Sequence, residues 1–199
     1  MLFRSEPAGL AGSAGATSSA GSAGPGIDPF LGDEDDGSTP LEPEVPQRQA
    51  LNRDWWIDLP GPFTGFLSNG ALQLVSVNKP PRRVWVDIRN APEPRPGIAS
   101  LMVKDIRLAA KDLPAGAVEY GDTQGEPDEH RIAFWFEEHT EGQRGYWTLY
   151  AYAIRDNSFV QAAFLSTRPE PDWALASWKS MRYAPGTGKD WEAAVPDDE

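Results

Sequence analysis

An α+β domain is expected: a single antiparallel β-sheet with helices packed on its faces. Three observations lead there. Val84, Val86 and Ile88 alternate with Arg83, Trp85, Asp87 and Arg89, the period of two of a half-buried strand. Ile98, Met102, Ile106, Ala109 and Leu113 then recur at helical spacing. Further on, two apolar runs flank Arg155-Asp156-Asn157, and Asp-Asn suits a tight hairpin because both residues tolerate positive φ.

In chain order, Trp55-Trp56-Ile57 opens the apolar region. Pro60-Gly61-Pro62 and Ser68-Asn69-Gly70 are turn chemistry, and Ala71–Val77 is a strand between turns. The alternating strand around Trp85 ends before Pro92, Pro94 and Pro96, which lack the N–H a ladder needs. The helix Ile98–Leu113 keeps Lys104, Arg107 and Lys111 off its apolar face and stops at Pro114 and Gly116. A short strand at Ala117–Tyr120, a polar loop over Gly121–Glu129 and a strand over Arg131–Glu138 follow. After a turn-rich stretch from His139 to Gly145 come the strands Tyr146–Ile154 and Ser158–Ser166. Pro169 and Pro171 end the last of these. Asp172 is placed to cap a second helix, in which Ala174, Trp178 and Met181 share a face.

A two-residue turn at Asp156-Asn157 pairs Arg155 with Ser158, Ala153 with Val160, Ala151 with Ala162 and Leu149 with Phe164. One face then carries Trp147, Leu149, Ala151, Ala153, Val160, Ala162 and Phe164, apolar throughout and small at its centre, which suits close approach of a helix. The other carries Tyr146, Thr148, Tyr150, Tyr152, Ile154, Phe159, Gln161, Ala163 and Leu165. Tyrosine offers apolar area with a hydroxyl tip, a composition common at binding surfaces. Tyr146, Tyr150, Tyr152 and Gln161, with Trp85, are therefore the candidate binding residues. The competing reading has the second helix covering this face, with the hydroxyls reaching its rim.

The ends have a different character. Residues 1–50 hold eight acids and two bases, and their Ala/Gly/Ser run over 8–26 cannot offset the entropy of ordering it. The acidic 33–36 cluster and Pro40, Pro43 and Pro46 complete an extended linker. Residues 51–183 form the domain, nearly neutral with seventeen acids and fifteen bases. Residues 184–199, with five acids and one base, are an acidic tail. Met1-Leu2-Phe3-Arg4-Ser5 matches what a sequencing-adapter end encodes in one frame, so the natural start is expected upstream. With no leader visible, a cytoplasmic location is favoured, the alternative being a signal in the segment expected upstream. The net charge of -12 opposes nucleic-acid binding, which needs a basic face. No run approaches the roughly 20 apolar residues of a membrane span. The absence of cysteine excludes disulfides, thiol catalysis and thiolate metal sites.

Enzymatic chemistry finds little to work with. His130 and His139 are the only side chains that titrate near neutrality by nature, and acids surround both. They stand at opposite ends of one strand, about 30 Å apart if extended, so one metal cannot hold both. No Gly-x-Ser-x-Gly elbow is present. Gly186-Thr187-Gly188-Lys189 lacks the spacing and the preceding strand of a phosphate loop. No catalytic residue, metal or cofactor is assigned.

The order of elements resembles the PsbP-like fold, shared by photosystem II oxygen-evolving subunits, a Ran-binding nuclear import factor, lipoproteins, type VI secretion effector chaperones and small bacterial domains of unknown function. The resemblance spans about Asn52 to Tyr183. It rests on the helix Ile98–Leu113, the strands Tyr146–Ile154 and Ser158–Ser166, and the ending Ala174–Tyr183. It implies an α/β/α sandwich and binding rather than catalysis. The expectation is a non-catalytic binding or chaperone-like module for a protein or peptide. The alternative is a small-molecule-binding protein or hydrolase with a pocket between helix and sheet.

Overall fold

The computed structural model describes residues 45–68, 70–77, 81–90, 97–122, 129–138, 145–155, 157–169 and 171–187. Ten strands and two α-helices lie along them. β1 (Pro46–Ala50), β2 (Trp55–Pro60), β3 (Phe63–Ser68), β4 (Ala71–Ser76) and β5 (Arg82–Asn90) precede α1 (Ile98–Ala109). A 3-10 turn over Ala110–Asp112 then leads to β6 (Val118–Asp122), β7 (Glu129–Glu138), β8 (Tyr146–Arg155), β9 (Ser158–Ser166), α2 (Asp172–Ser180) and β10 (Arg182–Tyr183).

The expected single sheet is wrong. The strands form two antiparallel sheets, a seven-stranded one ordered β3-β4-β5-β9-β8-β7-β6 and a three-stranded one ordered β1-β2-β10. The molecule is predominantly β, not a helix–sheet–helix sandwich. β2 is the centre of the second sheet. Trp55, Ile57 and Leu59 are buried while Trp56, Asp58 and Pro60 are partly exposed, a period of two obscured in sequence by the doubled tryptophan. Residues 46–50, expected within the linker, pair with β2 as β1. Residues 184–187, expected within the tail, are held against β2. The Ala184 N–H donates to the Asp54 carbonyl at 2.7 Å, and the Gly186 N–H to Asp54 Oδ1 at 2.7 Å. Trp56 Nε1–H donates to Thr187 Oγ1 at 2.6 Å.

The hairpin reading holds in register. Arg155 pairs with Ser158, Ala153 with Val160, Ala151 with Ala162 and Leu149 with Phe164. Asp156 itself lies outside the described residues. The small-residue face does receive a helix, α2, whose Ala174 and Trp178 are fully buried on it together with the following Met181. It also receives Trp55, Ile57 and Leu59 of β2, so the layer over this face is a small sheet with a helix beside it. Asp172 does not cap α2 with its side chain; Pro171 holds the N-cap position. Asp172 instead lies in the first turn, where its charge complements the helix dipole.

The β3–β4 hairpin was half visible. Gly70 takes φ 80°, the left-handed conformation that the Asn-Gly turn supplies without strain. β3 was missed because Phe-Thr-Gly-Phe-Leu-Ser does not alternate. Its Gly65 is set by packing: a Cβ there would lie 2.9 Å from Leu74 Cδ2.

The C-terminal end of α2 is fastened to β2 and to β7. The Ser180 hydroxyl accepts from the Asp58 N–H at 2.8 Å and lies 2.6 Å from the Ser177 carbonyl. Arg131, on the core face of β7, closes the C-terminus of α2. Its guanidinium donates to the carbonyls of Trp178 (3.1 Å), Lys179 (2.9 Å) and Met181. Glu129 balances its charge through a direct ion pair in which both side chains are buried. Arg155 stands 3.7 Å from the other Glu129 oxygen. An arginine among apolar alternate residues was the only sequence sign of this network.

Candidate binding face

The outer face of the seven-stranded sheet, opposite the α2 layer, collects every candidate residue. Strand register builds it. Gln73 lies beside Trp85, Trp85 beside Ala163, and Ala163 beside Tyr150. One row along, Asp87 lies beside Gln161 and Gln161 beside Tyr152. Trp85 and Tyr150 are thus two strands apart, about 10 Å. Tyr146 is on the same face at the far end of β8, opposite Glu138.

α1 divides this face in two. Ala99, Met102, Val103, Ile106, Ala110 and Leu113 pack over Ile132, Phe134, Phe136, Tyr152 and Ile154. Met102, Ile106 and Leu113 belong to the expected apolar stripe, which the structure rotates by about one position toward Ala99 and Val103. Tyr152 is thereby only 2% exposed, and its ring stacks on Phe159 at 5.9 Å between centroids. It belongs to the core beneath α1, not to a contact surface. Its hydroxyl has no hydrogen-bond partner among the described residues. The β7–β8 half is therefore covered by a helix, but by α1 and not by the second helix of the competing reading, and the Tyr152 hydroxyl is buried and does not reach a rim.

The other half is open. Trp85 is 45% exposed in the middle of a nine-residue strand. Phe66, Gln73, Val75, Arg83, Gln161, Ala163 and Leu165 surround it on the same face, all partly exposed. Tyr150 sits at the boundary, partly exposed, its ring edge-on to Phe136 at 5.1 Å. Phe66, Gln73 and Val75 were not anticipated. The Asn-Gly turn could have revealed them, since a tight turn before one strand requires a partner strand of matching length behind it.

The tyrosines are held in their neutral form. Burial, then the nearby Glu138 charge, pushes Tyr146 up to about 12. The same causes in the same order raise Tyr150. Tyr152 is raised by burial first and by Tyr150 second. A raised folded-state pKa stabilises the fold below the unfolded tyrosine value near 10 and ceases to do so as pH climbs through the folded value. Stability is therefore expected to decline between pH 10 and about 12 as Tyr146 approaches its folded value. Phenolate absorbance should lag behind that of the unfolded chain. Coincident titration curves would contradict this.

His130 pairs with Ile154 at the start of β7, and His139 lies outside the described residues. Among the described residues no three His, Asp or Glu side chains gather as a metal site, and no helix is long and apolar enough to cross a membrane.

The fold and face together describe a two-sheet, β-rich domain with one aromatic sheet surface left half uncovered. No family model matches the sequence. No curated protein matches it either. Among solved structures it is similar to a protein from Bacteroides thetaiotaomicron, with a TM-score of 0.45 and 12% identity over 68% of this chain and 48% of the other. The chain spans about half the length of that structure.

Proposed function

We propose that the chain is a non-catalytic binding module that engages an extended peptide or protein segment on the open half of its outer sheet face. The observation that supports this is Trp85. A large apolar ring stands exposed at the centre of a central strand, flanked by Gln73 and Gln161, whose amides add polar groups around an apolar middle. Interfaces are commonly arranged this way, with an aromatic anchor inside a polar rim.

The test is a displayed library of linear peptides selected on the full chain. Selected peptides should lose at least about tenfold in affinity for W85A, the range of an interface anchor. The melting temperature of W85A should stay within a degree or two, because the ring is not packed in the core. Peptides that bind W85A and the parent equally would defeat the proposal, as would a library that yields none.

A further inference from the structure

Among the described residues the two sheets end in four edge strands, and they are not alike. β1 carries Pro46 and Arg48, the latter paired with Asp58 at 3.0 Å. β10 is two residues long and includes Arg182. β6 carries Glu119, paired with Arg107 of α1 at 2.9 Å. Charge, proline and brevity are the usual devices that keep an edge from pairing with another chain. β3 has none of them. Its six residues are uncharged and contain no proline, and its register with β4 runs without a bulge from Phe63 to Ser68.

The register also states which backbone groups are offered. The Val77 N–H donates to the Pro62 carbonyl at 3.0 Å, one step beyond the Phe63–Ser76 pair. Hydrogen-bonded pairs alternate in an antiparallel ladder. Pro62, Thr64, Phe66 and Ser68 therefore face β4, while Phe63, Gly65 and Leu67 turn their N–H and C=O groups outward. No described strand pairs with that side.

We infer that β3 is a homodimer edge, taking the β3 strand of a second copy in antiparallel register about a two-fold axis at Gly65. Gly65 then meets the partner's Gly65, and Phe63 and Leu67 each meet the other, so every outward N–H and C=O group finds a partner. The side chains agree. Phe63 lies opposite the partner's Leu67 on one face, and Thr64 lies opposite the partner's Phe66 on the other. No like charges oppose across the junction. A self-matching strand favours a second copy over a foreign strand, since an isologous contact requires one patch to complement itself. The near-neutral 51–183 region adds little repulsion between copies. This does not depend on what the outer face binds.

Analytical ultracentrifugation of the full chain over a concentration series is expected to reach twice the 21.8 kDa chain mass. T64K places a charge at an exposed position of the edge and should be monomeric while keeping the parent's circular-dichroism spectrum. The cysteine-free chain permits a second, register-specific readout. A mixture of T64C and F66C should form a disulfide-linked heterodimer under oxidation, faster than either variant crosslinks alone. A parent chain monomeric at every concentration overturns the inference. So does a dimer that survives T64K, or T64C crosslinking to itself as fast as in the mixture.

Discussion

Replacing Arg131 with methionine is expected to destabilise the fold by about 3–5 kcal/mol, the range for removing one partner of a buried ion pair. The melting temperature should fall by about 10 °C or more for a domain of this size. Two losses coincide. The carbonyls of Trp178, Lys179 and Met181 lose the donor that closes α2, where the helix dipole favours a cation. Glu129 is left as a buried carboxylate whose nearest remaining cation is Arg155, 3.7 Å away. The pair E129Q/R131M separates these losses. It removes the stranded charge but not the missing cap, so it should recover part of the stability and not all of it. Full recovery would assign the whole effect to Glu129. A loss below about 1 kcal/mol in R131M would show that the network does not hold α2.

Trp178→Ala should be comparably severe, about 3–5 kcal/mol for a large aromatic removed from a packed core. Trp178 is fully buried in the core it shares with β2 and the core face of the large sheet. Its Nε1–H donates to the Tyr152 carbonyl at 3.1 Å. Trp178→Phe keeps most of the apolar volume and loses that bond, so it should cost markedly less. The effect should also be local before it is global. α2 is stitched to β2 through Ser180 and Asp58, so loosening α2 should expose β2. Hydrogen exchange at Ile57 and Leu59 is expected to rise in W178A more than exchange in β8 and β9. Uniform acceleration across both sheets would contradict this order.

The candidate face shows how far one-dimensional information reaches. Period two around Trp85 and the Asp156-Asn157 turn were enough to place Trp85, Tyr150, Tyr152 and Gln161 on one sheet face, because a turn of known length sets register and register sets facing. The same reasoning could not tell which half of that face stays open. Tyr150 and Tyr152 differ by two residues and share a face, yet α1 buries one and leaves the other at a boundary. That outcome depends on where the chain between β5 and β6 lays the helix. No local pattern around either tyrosine contains it.

What local chemistry could settle is now clear: the two helices, the β8–β9 hairpin with its register, and the apolar small-residue face. Each follows from side-chain periodicity or from the φ tolerance of a turn, interactions between residues near in sequence. The second sheet, the closure of α2 by Arg131 and the half-open outer face arose from contacts between distant segments. β2 joins β10 across more than a hundred residues, pairing Trp56 with Arg182. Such pairings are selected by burial, and burial is defined only once both surfaces have met.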